Sequence, residues 1–188
     1  MKKGIYMAVL LFAVMTLSAC SGGKATDVSV EEEQQQPGTI FKGIYLSGDG
    51  NFTIEADETL WQAESEGESF NLYLKKDKNV WISFSTTDGL TADMVRNFEE
   101  SFVNRYMEGI QTSYPDAKKV DSQVINDSLA RIDMTMTYGS GLYSMYQILY
   151  LATDGQDGYL ITSTLPQDEV GDIRPMIYKM IESIQFIK

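Results

Sequence analysis

Apolar and polar positions alternate over most of the chain after Thr39, and this pattern predicts strands. Phe52, Ile54 and Ala56 alternate with polar residues directly after the turn-forming sequence at 48–51, which predicts a hairpin. Further strands are predicted at 60–63, 70–74, 80–84, 120–125, 132–138, 142–152 and 159–163. Within 132–138 the pattern places Ile132, Met134 and Met136 inward and Asp133, Thr135 and Thr137 outward. The run 142–152 is apolar on both faces, so we expect it in mid-sheet.

Two segments instead carry helical periodicity. Thr91 is a suitable N-cap for a helix that ends at Tyr114-Pro115. A second helix is expected to start near Asp172, because Pro175 is tolerated in a first turn. Their predicted apolar stripes are Val95, Phe98, Phe102, Tyr106 and Ile110, and then Val170, Ile173, Ile177, Met180, Ile181 and Ile184. The predicted fold class is α+β: an antiparallel sheet covered by two amphipathic helices.

The N-terminus has the features of a secretory signal peptide. A basic start at Met1-Lys2-Lys3 precedes an uncharged run at 4–16 and the sequence Leu17-Ser18-Ala19-Cys20. These four residues resemble the lipobox of bacterial lipoproteins. That resemblance implies signal-peptidase recognition through Leu17, Ser18 and Ala19, acylation of the Cys20 thiol and cleavage before it. An ordinary signal peptide with a chance cysteine, or a short uncleaved anchor, is the alternative.

Three regions follow from these patterns. They are a signal peptide at 1–19, a lipidated cysteine with a flexible tether at 20–38, and a globular domain at 39–188. The tether contains Ser-Gly-Gly, Glu-Glu-Glu, Gln-Gln-Gln and Pro-Gly, and has almost nothing to bury. We therefore expect localisation at the cell membrane, on the extracytoplasmic side, through acyl chains on Cys20.

Composition excludes several functional classes. The 188 residues carry a net charge of −12, which argues against nucleic acid as a partner. The chain has no histidine, which removes histidine-dependent triads and histidine-ligated metals. The chain has a single cysteine, which excludes an intrachain disulfide and a metal site built from several thiolates. No cofactor, metal site or catalytic residue is predicted.

The order of elements resembles the PsbP-like fold. The likeness is carried by Asn51-Phe-Thr-Ile-Glu55, by Trp61 and by the ending Ile184-Gln-Phe186, and it extends over 39–188. That family includes an extrinsic subunit of photosystem II and many bacterial lipoproteins, and it shares no catalytic set. The resemblance therefore implies an α/β/α sandwich that acts by binding, with a cell-envelope protein as the expected partner.

Three local features were candidates for chemistry. The segment 55–68 holds six acids and no base, which could attract a cation or a basic partner but is more typical of a solvated surface. Asp154-Gly-Gln-Asp-Gly158 lacks the ligand pattern of a calcium loop and predicts a hairpin turn. The tyrosines of the late strands suit either a binding surface or core packing. They are Tyr138, Tyr143, Tyr146, Tyr150 and Tyr159.

The expected function is a membrane-anchored, non-catalytic binding or accessory module. The alternative is a small cell-envelope hydrolase that uses carboxylates, because without histidine the base would have to be a carboxylate or a lysine. An acid pair that lines one pocket would favour the hydrolase, and a flat aromatic or apolar patch would favour binding.

Overall fold

The computed structural model describes residues 35–66, 69–139 and 141–187. Within these ranges, the strands form two antiparallel sheets. The large sheet has seven strands, in the spatial order β4 (Trp61–Glu66), β5 (Ser69–Leu74), β6 (Asp77–Thr86), β10 (Gly158–Pro166), β9 (Tyr143–Thr153), β8 (Leu129–Tyr138) and β7 (Lys118–Asn126). The small sheet has four, in the order β1 (Ile40–Phe41), β2 (Ile44–Leu46), β3 (Phe52–Glu55) and β11 (Gln185–Phe186).

The first helical segment runs from α1 (Ala92–Arg96) through a π-helical turn (Glu99–Val103) into α2 (Asn104–Ser113). Thr91 caps its start as predicted, because its hydroxyl accepts a hydrogen bond from the Met94 amide at 3.3 Å. α2 ends at Ser113, just before Tyr114-Pro115, as the sequence predicted. The π turn divides one predicted helix into two, so three α-helices are present in the described residues where two were expected.

The third helix, α3 (Val170–Ile181), follows a 3₁₀ turn at Gln167–Glu169. The predicted start near Asp172 is therefore wrong, and Pro175 lies inside the helix. Proline has no N–H to bond the carbonyl of Gly171, four residues earlier. Both Pro175 and Gly171 are exposed, so water can bond this carbonyl and the early start is tolerated.

The large sheet separates two hydrophobic cores. On one face, the small sheet and α3 pack on alternate residues of the central strands, including Ile82, Ile148 and Ile161. On the other face, the segment from α1 to α2 covers Ile132, Met134 and Leu149. Strand β9 contributes to both cores and lies between β10 and β8, which confirms its predicted mid-sheet position.

Two further expectations need correction. A single sheet was expected, but the first three strands form a separate sheet with β11, which the sequence pattern did not predict. Asp133 was expected to face solvent and is instead 1% exposed, because α3 covers the face to which it points. The alternating pattern therefore showed correctly that Asp133 lies on the opposite face of the strand from Ile132 and Met134. It did not show that this face is also buried.

Candidate functional site

Within the part of the chain that the structure describes, α1 and α2 cover only one half of the large-sheet face on which they pack. Across the strands, one row of paired residues runs from Gln62 through Tyr73, Trp81 and Thr164 to Gln147. The next row runs from Glu64 through Asn71, Ser83 and Thr162 to Leu149. We call the part of these rows on β4, β5, β6 and β10 the open face. It is polar and aromatic, whereas the half beneath the helices is apolar.

A cavity of about 960 Å³ lies where the open face meets the β8–β9 hairpin. We call it the aromatic cavity. Its lining residues come from β6, β8, β9, β10 and the 3₁₀ turn: Asn79, Trp81, Tyr138, Leu142, Tyr143, Ser144, Met145, Gln147, Thr162, Thr164, Pro166, Gln167 and Asp168. Its volume is at the upper end of the range for small-molecule sites, about 300–1,000 Å³.

The hairpin supplies one wall of the cavity. Tyr138 and Tyr143 are direct partners across β8 and β9, and Tyr138 also packs on Tyr114 with ring centroids 4.6 Å apart. Leu142 and Tyr143 remain 76% and 64% exposed. Large apolar side chains that stay this exposed beside a cavity are typical of binding surfaces.

Polar side chains form the floor. Gln147 and Thr164 are each 8% exposed, and the Gln147 amide donates to the Thr164 hydroxyl at 3.5 Å. The Tyr106 hydroxyl of α2 donates to the Gln147 carbonyl oxygen at 3.4 Å. Both bonds are long, so the Gln147 amide retains hydrogen-bonding capacity toward the cavity.

The electrostatics around the cavity favour neutral phenols and few charges. Burial, followed by the neighbouring Tyr138, raises the pKa of Tyr106 above its usual value. Burial, followed by Tyr114, raises the pKa of Tyr138. Among the described lining residues, Asp168 is the one charged side chain, and none is basic. The cavity is therefore neutral at physiological pH except at the Asp168 rim.

An acidic pocket of about 380 Å³ adjoins this rim. It is lined by Lys76, Asp77, Asp168, Glu169, Asp172 and Ile173. Desolvation, followed by repulsion from and hydrogen bonding with Asp77, raises the pKa of Glu169. Both carboxyl groups line this one pocket, which is the feature that would favour the hydrolase alternative.

The predicted acidic segment contributes to a different pocket, which also contains Lys42 and Lys179. Glu55, Asp57 and Glu58 are exposed at the edge of this pocket of about 630 Å³, and Glu64 pairs with Lys78 at 2.6 Å. Among the residues that the structure describes, no group of three or more acids or thiols is placed to hold a metal ion.

The five late-strand tyrosines divide between the two predicted roles. Tyr146, Tyr150 and Tyr159 are buried in the core, and Tyr138 and Tyr143 line the aromatic cavity. Alternation within β9 places Tyr143 and Tyr146 on opposite faces of the sheet.

The Asp154-Gly158 turn connects β9 to β10, with the Asp154 carboxylate accepting hydrogen bonds from the Gln156 and Asp157 amides. The hairpin prediction is therefore confirmed.

On the opposite face, a buried ion pair on β8 packs against α3. Arg131 is 5% exposed, and its Nε lies 3.3 Å from the Asp133 carboxylate. The guanidinium carbon lies 3.8 Å from the centroid of the Tyr178 ring. Arg131 also donates to Glu182 at 2.9 Å and to Asp121 at 3.2 Å. This cluster around Arg131 and Asp133 was not predicted from the sequence.

Tyrosine hydroxyls complete the cluster. Tyr146 donates to Asp133 at 2.8 Å, and Tyr178 donates to the same carboxylate oxygen. Arg174 in turn donates to the Tyr146 hydroxyl at 3.2 Å. Burial and hydrogen bonding to Asp133 raise the pKa of Tyr178 well above its usual value. None of these groups lines the aromatic cavity, the acidic pocket or the pocket of about 630 Å³, so we assign them to stability.

The residues proposed for membrane anchoring lie outside the described part of the chain. These are the signal peptide at 1–19, with Leu17, Ser18 and Ala19, the lipidation residue Cys20 and the tether up to residue 34. The last tether residues are described: Gln35 donates to the Thr39 and Ile44 carbonyls at 2.9 and 2.8 Å. Across the described residues, no helix has the length and apolar character needed to cross a membrane.

An antiparallel sheet with helices on both faces and a small accessory sheet defines an α+β sandwich of the PsbP-like kind. The chain is similar to the solution structure of cyanobacterial PsbP (CyanoP) from Synechocystis sp. PCC 6803. The TM-score is 0.54 at 10% sequence identity, over 82% of this chain and 99% of that one. This likeness shows a PsbP-like fold and supports the predicted resemblance at the level of fold.

A crystal structure from Bacteroides thetaiotaomicron VPI-5482 is a second neighbour. Its TM-score is 0.48 at 16% identity, over 78% of this chain and 48% of that chain, so our chain spans about half of its length. No family model matches the sequence, and no curated protein matches it.

Proposed function

We propose that this protein is a bacterial lipoprotein held on the extracytoplasmic side of the cell membrane by acyl chains on Cys20. The support is the sequence: a basic start, an uncharged run and Leu17-Ser18-Ala19-Cys20. Cleavage after residue 19 removes Lys2 and Lys3 and makes the net charge of −12 two units more negative. Such a surface gains nothing from anionic lipid headgroups, so the acyl chains supply the membrane affinity.

The domain acts by binding, without catalysis, and the aromatic cavity is the proposed site. The observation that carries this proposal is a cavity of about 960 Å³ beside the exposed side chains of Leu142 and Tyr143. Concave sites with aromatic walls and a few convergent polar groups are typical of ligand binding. An envelope protein remains the expected partner class from the sequence.

Anchoring is tested with Cys20→Ala in cells fed an alkyne fatty acid. We expect the variant to lose the lipid label and accumulate as a precursor. Ser21→Ala is the matched control and should be labelled like the wild type. Lipid label on Cys20→Ala would refute the proposal.

Binding at the cavity is tested with a photo-crosslinking amino acid in the full chain. Introduced at Tyr143, it should capture a specific adduct in cells. Val120 lies on the edge strand β7 and is 50% exposed, so the same probe there is the control. Identical adduct patterns from both positions would count against the cavity as the binding site.

Carboxylate hydrolysis is the second candidate, supported by the interaction between Glu169 and Asp77 beside the cavity rim. A hydrolase would release product from a bound substrate and would lose activity in Asp77→Asn and Glu169→Gln. If the wild type binds a ligand in the cavity and the ligand is recovered chemically unchanged after prolonged incubation, the hydrolase function is eliminated.

A further inference from the structure

We infer that the aromatic cavity binds a neutral saccharide chain. The inference rests on the proposed function, because it names the ligand class of the proposed site. Three properties of the cavity carry it: its charge, its unused hydrogen-bonding groups and its aromatic walls.

The charge of the site excludes anionic ligands and offers little to cations. No lining residue in the described ranges is basic, and the chain carries a net charge of −12, so phosphates and carboxylates would be repelled. A cation would find one carboxylate in the cavity lining, Asp168, and the adjoining acidic pocket, which has three more, would attract it away from the aromatic walls. A neutral ligand meets neither obstacle.

The polar groups of the cavity are hydroxyls and amides with capacity to spare. Within the described part of the chain, the side chains of Asn79, Ser144 and Thr162 form no hydrogen bond with protein groups, and each lines the cavity. Gln147 and Thr164 form only long bonds there. Each such group can both donate and accept, which suits a ligand whose own hydroxyls do both.

The aromatic walls suit the other surface of a sugar. A pyranose ring has C–H groups on its faces and hydroxyls around its edge, so it can pack on an aromatic ring while its edge bonds polar side chains. Trp81 and Tyr143 provide such rings, and Thr162 and Gln147 provide such partners. A cavity of about 960 Å³ is large enough for an oligosaccharide.

An acyl chain fits this floor poorly. It would cover Gln147, Thr162 and Thr164 without offering a hydrogen bond, and buried polar groups without partners are unfavourable. A ligand that replaces water at these groups with its own hydroxyls avoids that cost.

The chain contains two tryptophans, and they allow a site-specific test. Trp81 lines the cavity, and Trp61 is 3% exposed in the core. Trp61→Phe therefore leaves a fluorophore only at the cavity, and Trp81→Phe leaves one only in the core. Both full-length proteins, in a detergent without a sugar headgroup, are titrated with maltohexaose, cellohexaose, chitohexaose and palmitate.

We expect at least one hexasaccharide to change the fluorescence of the Trp61→Phe protein saturably, and the Trp81→Phe protein to show no such change. Calorimetry on the wild type provides the same affinity without relying on either variant. Thr162→Val should weaken that affinity about 3- to 10-fold, since one neutral hydrogen bond is lost. Thr135→Val, on the opposite sheet face, is the matched control and should bind normally.

The outcomes separate this inference from the proposed function. Binding of palmitate alone, strengthened by Thr162→Val, would overturn the saccharide inference and leave the cavity as the binding site. So would an envelope protein captured from position 143. If no saccharide binds and position 143 captures nothing that the control position lacks, both the inference and the proposed binding site are refuted.

Discussion

The buried pair between Arg131 and Asp133 provides a quantitative test of the fold. Arg131 is 5% exposed and Asp133 is 1% exposed. Arg131→Met keeps much of the aliphatic length but removes the guanidinium. The Asp133 carboxylate would then be buried with two tyrosine hydroxyls and no direct ion-pair partner, because Arg174 reaches it only through the Tyr146 hydroxyl.

Removing one partner of a buried ion pair costs about 3–5 kcal/mol of unfolding free energy. Glu182 and Asp121, the other acids bonded to Arg131, are exposed, so water can solvate them after the substitution. The expected loss is therefore assigned to Asp133. For a domain of this size it corresponds to a fall in Tm of about 6–20 °C.

The assay is urea unfolding followed by circular dichroism, for Arg131→Met, Asp133→Leu and the double variant. We expect the double variant to be destabilised by less than the sum of the single variants, because neither charge is then left unpaired. Lys119→Met is the control: it breaks a pair with Glu99 whose side chains are 38% and 48% exposed, and should cost no more than about 1 kcal/mol. An Arg131→Met protein as stable as the control would refute the reasoning.

Three further predictions concern the domain. Burial, followed by the nearby Asp49 carboxylate, raises the pKa of Tyr45 well above its usual value, so folding favours the neutral phenol. Its contribution to stability is complete below about pH 10 and is progressively lost above it, so the urea midpoint should fall less between about pH 10 and 12 in Tyr45→Phe than in the wild type; equal falls would contradict this. At Gly48, an added Cβ would lie 2.1 Å from the Phe70 ring, so Gly48→Ala should destabilise by about 1–3 kcal/mol. Gly109 lies in α2 with no atom near the position of an added Cβ, so Gly109→Ala should instead stabilise the domain by about 0.5–1 kcal/mol. If thermal melts showed that both glycine variants raise Tm, or that both lower it, the packing argument would be refuted. Thr91→Ala should cost about 1 kcal/mol through loss of the helix cap, and Thr91→Ser should restore most of it in the same assay.

Local sequence patterns predicted the elements whose causes are local. The hairpin before Phe52, the cap at Thr91 and the turn at 154–158 each depend on neighbours within a few residues. Strand β9 is apolar on both faces, and this pattern also predicted its position in the middle of the sheet. A strand with apolar side chains on both faces is stable only where both faces are covered.

The features that were missed depend on distant partners. Asp133 alternates with apolar residues like an exposed position, and only the Arg131 and Tyr178 contacts make its burial possible. The aromatic cavity draws its lining from β6 to the 3₁₀ turn, so it exists only after the strands pair in register. The crowding of tyrosines was a usable signal, but it could not assign Tyr143 to the cavity and Tyr146 to the core without the strand faces.

The small sheet sets the order in which the chain can fold. Phe52 of β3 pairs with Phe186 of β11, and the Glu55 amide bonds the Ser183 hydroxyl 128 residues away. During synthesis, β3 can pair with β2 at once, but its other edge stays unpaired until β11 has emerged. Such nonlocal closure makes folding slow and leaves this edge available for pairing with other chains. The arrival of β11 thus determines how long the edge of β3 remains exposed.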